Sequence, residues 1–226
     1  MNYAQLESYL SQPRLNRFLR ATGNSKVKAQ KLYRINLRVC QAFYPIMNLF
    51  ETFLRNAVYN TIAAHFADND WIINQKSGFM SHLSLAPSRY YLKGQVDKGE
   101  VEIRRKRNVV TASRLIAEQT FGFWTAFFDN HHYILVGGAP LNAFIHKPQN
   151  INRSALAAKL LRIRTLRNRI YHNEPICFSG NTVEFSLARK VLDDIHDILE
   201  WISPDLKSYT DSFNSIVAKI DQVNNL

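Results

Sequence analysis

Between Ile46 and Val58 the apolar residues Ile46, Leu49, Phe50, Phe53, Leu54, Ala57 and Val58 recur at spacings of three and four. Side chains at that spacing gather on one side of a 3.6-residue helix, whereas a strand's period of two scatters them over both faces. The pattern returns in Val191, Leu192, Ile195, Ile198, Leu199 and Ile202. Two such stripes need helical partners to cover them, so the chain is expected to be all-α. Hydrophobic residues, 46% of 226, suffice for a substantial core.

The remaining punctuation fits helices joined by loops. Residues 3–20 read as helix interrupted by Pro13, "ATGNSK" (21–26) as a loop, and 27–43 as a second helix. Pro45 marks a kink or a new start, because proline lacks the amide donor and clashes with the preceding turn. The 46–66 stretch is the clearest helix. Segment 68–108 carries turn residues and reads as loops with short helices. A helix is expected over 109–128, with Gly122 among aromatics for close packing. "GGAP" (137–140) is a break, and a long helix covers 151–171. "CFSGNTVEFS" (177–186) holds a Gly-Asn turn suited to one small β-hairpin. Helix 187–203 ends at Pro204, and the tail 204–226 is expected to fray. Without repeats or a Gly/Ser linker, one domain over 1–226, with its core in 27–203, is the simplest organisation.

Lysine and arginine outnumber acids 29 to 18, for a net charge of +11. A surface of that sign attracts polyanions, nucleic acid first, or serves solubility alone. Cys40 and Cys177 are unclustered, which suggests neither a disulfide framework nor a zinc site. The N-terminus lacks a basic-then-apolar signal pattern, and no apolar run reaches bilayer length. The expectation is a cytoplasmic protein with no membrane partner, metal or cofactor.

The helix at 151–171 contains a misfit. At about 100° per residue, Leu156, Leu160, Ile163 and Ile170 share one arc, and Arg167 sits near its middle. Such a guanidinium is either buried with a partner or emerges at a crevice or interface. His172, five residues on, points about 140° away in a continuous helix. The two converge if the helix ends or bends near Tyr171, or if a second copy supplies the other half. Pro175 favours an ending. Arginine matches phosphate geometry and histidine moves a proton near neutral pH, a pairing suited to phosphodiester cleavage. Asn168 adds an amide that can orient either group. The structural alternative is an arginine held by a carboxylate and a histidine capping the helix C-terminus.

Arg167-Asn168-Arg169-Ile170-Tyr171-His172 resembles the R-X4-H motif of the HEPN superfamily, including its polar residue after the arginine. "LYRINLRVCQAFYPIMNLFETFLRNAV" (32–58), with its E-x3-R-N, "FGFW" (121–124) and "LRNRIYHNEPI" (166–176) together resemble the Abi-like abortive-infection proteins of that superfamily. The resemblance implies a HEPN-like helical bundle with additional helices and loops. It implies a metal-independent endoribonuclease toxin of phage defence or a toxin–antitoxin system, working as a homodimer. Arg167 and His172 would be its catalytic pair and Asn168 a supporting residue, with RNA as substrate and an RNA or protein antitoxin as restraint. Some HEPN toxins continue the motif to R-X4-H-X-Y, with a tyrosine modified by a partner; this chain has Glu174 there.

Secondary candidates have competing readings. Glu51, Arg55 and Asn56 match the family's E-x3-R-N pattern; Glu51 either orients the catalytic pair or forms a helix salt bridge with Arg55. Glu174 is a further acid near the cleft or a loop residue. Arg104, Arg105, Lys106 and Arg107 form an RNA-contacting patch or a solvated charge run. Arg162, Arg164 and Arg169 are surface charges or contacts to an RNA backbone. His131-His132 is set aside as a metal site because adjacent helical residues do not face one point. The alternatives to catalysis are a non-catalytic RNA-binding HEPN protein and a dimeric helical scaffold.

Overall fold

The computed structural model describes residues 2–226 and is 73% helical, with a single two-stranded sheet among the described residues. The helices, in chain order, are α1 (Tyr3–Leu10), α2 (Gln12–Ala21), α3 (Lys26–Phe66), α4 (Trp71–Asn74), α5 (Tyr91–Arg105), α6 (Ala112–Glu118), α7 (Phe121–Ala126), α8 (Asn130–Leu135), α9 (Arg153–Tyr171), α10 (Ser186–Ile202), α11 (Pro204–Asp211) and α12 (Ile216–Ile220). Strands β1 (Phe178–Ser179) and β2 (Thr182–Val183) form the antiparallel hairpin expected around Gly180-Asn181, with Gly180 at positive φ. The protein is all-α with one small hairpin. Among the described residues, no helix is long and apolar enough to cross a membrane.

The chain divides into two compact units. The first comprises residues 1–49, 165–195 and 208–226, the second 50–164 and 196–207. In the first unit, Leu15, Phe18, Leu32, Val39, Phe43, Leu166, Ile176, Val191 and Ile195 are buried. Phe18 meets the rings of Tyr33 and Phe178 edge-on, at 5.2 and 5.1 Å. The Arg17 guanidinium lies over Phe178 and donates to the Gly180 carbonyl at 2.8 Å, docking the hairpin on α2. The second unit is built on aromatics: Phe50, Trp71, Phe121, Phe123, Trp124, Phe127, Phe128 and Phe144 are all buried. Trp71 Nε1 donates to the Tyr59 carbonyl at 3.2 Å, so its polar edge is satisfied.

Several boundaries differ from expectation. Pro45 neither ends nor restarts a helix; α3 runs unbroken through it. Proline in a helix interior costs about 3 kcal/mol. Burial of Phe43, Ile46 and Met47 around it offsets that, at roughly 1.5–3 kcal/mol per large side chain. Segment 68–108 is more regular than its turn residues suggest, since 91–105 is one helix. Its buried face, Leu92, Val96, Gly99, Glu100 and Ile103, has helical spacing. Gly99 breaks nothing: a Cβ there would lie 2.9 Å from Gln119 Nε2 and 3.2 Å from Leu115 Cδ2, so glycine permits the close approach of α5 to α6. The expected 109–128 helix is split at Gln119–Thr120, where Gln119 is extended, into α6 and α7. The tail does not fray: it forms α11 and α12, with Thr210, Ile216 and Ile220 buried.

Candidate functional site

The buried stripe of α9 is Leu156, Leu160, Ile163 and Leu166, all at most 1% exposed. Arg167 and Ile170, on the same arc, are only half-buried, because the stripe surfaces in the last turn. Arg167 therefore sits at the margin of the apolar face rather than within it. Its guanidinium carbon lies 4.3 Å from the centroid of the Tyr171 ring, one turn on, a cation–π contact. Its Nη1 donates to Asn168 Oδ1 at 3.5 Å. Sequence reasoning overlooked Tyr171 as Arg167's platform, although Arg and Tyr at i and i+4 are the signal for it.

The helix ends immediately beyond. His172 N–H donates to the Asn168 carbonyl at 2.9 Å, so the α-helical ladder reaches the histidine. Asn173 then takes positive φ (57°), its N–H donating to Ile170 O at 3.1 Å, and Glu174 N–H donates to Arg169 O at 2.8 Å. These are the 5→2 and 6→1 bonds of a Schellman motif with asparagine at the left-handed position. His172 is thus the C-cap residue and is exposed. Because its backbone keeps the helical register, the offset of about 140° from Arg167 persists within the chain.

Three contacts pin the segment after the histidine. Arg169 Nη2 donates to the Pro175 carbonyl. Arg169 Nε lies 3.7 Å from Glu174 Oε2. Asn36, buried on α3, accepts the Ile176 N–H at 2.9 Å. Arg169, expected among the surface charges, is turned inward to brace this turn, and Glu174 is its exposed partner. Burial pushes the Cys40 thiol up to about 11 and the Cys177 thiol up to about 12. Neither is a poised nucleophile.

The remaining candidates are distributed along α3, α5 and α9. Glu51, Arg55 and Asn56 are on α3 in the second unit, whereas Arg167, Asn168 and His172 belong to the first. Arg55 Nε donates to Asn56 Oδ1 at 3.4 Å. Arg162 and Arg164 are half-buried, and Arg164 Nη1 donates to Thr125 Oγ1 at 3.3 Å. The basic run at the end of α5 is largely compensated: Arg104 pairs with Glu100 (3.0 Å), Arg105 with Glu102 (2.6 Å) and Lys106 with Glu118 (2.6 Å). Those acids lower the positive potential that the bare sequence suggests.

One cluster departs from the sequence argument. The imidazoles of His131 and His132, in the first turn of α8, lie 4.1 Å apart with their planes 57° from each other. Asp129, the N-cap residue, brings a carboxylate to the same place; one ligand atom from each of the three lies within 4.8 Å of the others. The 100° step between neighbours separates their Cβ vectors, but the imidazoles tilt back together. His132 is buried, which pushes its imidazole down to about 4, helped by His131 and opposed by its bond to the Ala126 carbonyl. No protein-family model, curated protein or solved structure matches the chain.

Proposed function

We propose that this chain is a metal-independent endoribonuclease of the HEPN type, acting through Arg167 and His172 as a toxin in phage defence or a toxin–antitoxin system. The observation that carries the reading is the end of α9: a half-buried arginine on a tyrosine platform, followed by an exposed histidine at a braced C-cap. The stacked guanidinium is oriented before any substrate arrives, which lowers the entropy lost when it grips a phosphate. The His172 side chain is exposed to solvent.

In this mechanism the RNA 2′-oxygen attacks the adjacent phosphorus and its proton passes to His172. Arg167 holds the charge that develops on the phosphorane oxygens. The P–O5′ bond breaks, the 5′-oxygen leaves with the proton that His172 took up, and a 2′,3′-cyclic phosphate remains. Helical phase sets the two Cα positions about 140° apart around the α9 axis. That divergence supports a homodimeric site in which the arginine of one copy faces the histidine of the other. A net charge of +11 favours RNA as substrate and is compatible with an RNA antitoxin.

The test is incubation of purified protein with mixed RNA in EDTA. Cleavage to cyclic phosphate ends, abolished in Arg167→Ala and His172→Ala, is the expected result. RNA binding without cleavage in the unsubstituted protein would replace this reading with a non-catalytic RNA-binding one. No RNA affinity at low salt would leave a helical scaffold.

A further inference from the structure

We propose that Asp129, His131 and His132 bind a divalent transition-metal ion of the zinc class, at a site in the second unit independent of Arg167 and His172. The donor set is two imidazoles and a carboxylate, one of the combinations that zinc sites with an open coordination position use. One ligand atom from each residue lies within 4.8 Å of the others. Tetrahedral coordination at zinc-like bond lengths brings ligand atoms to about 3.3 Å apart. The cluster must therefore close by at most about 1.5 Å, and Asp129 and His131 are exposed and able to rotate.

The second, independent observation is the state of His132. The side chain is 1% exposed. Its Nδ1 lies 3.0 Å from the Ala126 carbonyl oxygen, which can only accept, so Nδ1 carries the proton. The lone pair is then on Nε2, and Nε2 is buried with no hydrogen-bond partner among the described residues. A buried nitrogen lone pair left without a donor is costly. A metal-ligating histidine has this same arrangement: one nitrogen donates to a carbonyl, which fixes the tautomer, and the other presents its lone pair to the ion.

All three residues line a cavity of about 330 Å³ that also touches Ser88, Tyr91 and Arg164. Three protein ligands leave one tetrahedral position for water or an anionic group in that cavity, with the Arg164 guanidinium at its wall.

Protein stripped with a chelator and returned to metal-free buffer is titrated with Zn²⁺ against a chromogenic chelator, and separately with Co²⁺ while the visible spectrum is followed. One Zn²⁺ per chain and the absorption of four-coordinate Co²⁺ are expected. Asp129→Asn and His131→Asn change exposed side chains and should keep the helical circular dichroism while weakening Zn²⁺ at least about 10-fold. His132→Gln should weaken it as well. Absence of Zn²⁺ binding, or binding undiminished in both exposed variants, overturns the proposal; the first result would leave His132 as a packed core histidine.

Discussion

Replacing Asn36 by leucine tests whether the chain after His172 is held by one long-range hydrogen bond. Asn36 is 4% exposed, and its Oδ1 accepts the N–H of Ile176, itself 1% exposed, at 2.9 Å. Leucine has similar bulk and no acceptor. The Ile176 amide would then be buried without a partner, at a cost of about 1–3 kcal/mol. In a chain of this length each kcal/mol lowers Tm by about 2–4 °C, so a loss of about 2–12 °C is expected. Thermal and urea denaturation followed by circular dichroism read the stability, and amide hydrogen exchange reads Ile176 directly. Exchange at Ile176 should rise from protected to fast. A stability change under about 0.5 kcal/mol with Ile176 still protected would refute the reasoning, since it would mean that another acceptor replaces Asn36. On the proposed function, RNA cleavage should fall in this variant while RNA binding persists, because His172 loses its anchored position.

Other outcomes follow from the same geometry. Burial, reinforced by Cys40, raises the Cys177 pKa from 9.0 to about 12 in the folded chain; the unfolded thiol ionises near 9 and the folded one does not. This contribution to stability is fully present below pH 9 and is lost as pH rises toward 12, at about 1.4 kcal/mol per pH unit; urea titrations at pH 8, 9 and 10 should show a slope that Cys177→Ala reduces. Gly137 has φ +59°, and a Cβ there would lie 2.9 Å from His65 Cε1, so Gly137→Ala should cost at least about 1–2 kcal/mol in the same assay. Asn173 holds the left-handed position of the α9 cap: Asn173→Ala should destabilise by about 1 kcal/mol and Asn173→Gly should be neutral or stabilising, as measured by paired thermal melts.

Much of this architecture was legible in the sequence because it rests on local periodicity and local backbone chemistry. The apolar spacings of 46–58 and 191–202 specify helices regardless of what covers them. Pro175 announces the end of α9, and Gly180-Asn181 specifies the hairpin turn. The phase of Arg167 relative to Leu156, Leu160 and Ile163 singled out that residue without a structure.

Tertiary packing decided the rest. The turn residues of 68–108 suggest loops until α5 is seen packed against α6, where a Cβ at Gly99 would lie 3.2 Å from Leu115 Cδ2. Pro45 resembles a boundary until the burial of its neighbours outweighs the missing hydrogen bond. The bond from Ile176 to Asn36 joins residues 140 positions apart, and no window of sequence contains both. The convergence of Asp129, His131 and His132 depends on side-chain rotation and on the Ala126 carbonyl, neither of which helical phase describes. The opening periodicities determine which segments are helical, because a helix forms from its own hydrogen bonds. Which polar groups are buried, braced or left with a lone pair depends on distant neighbours, and so only the folded chain determines it.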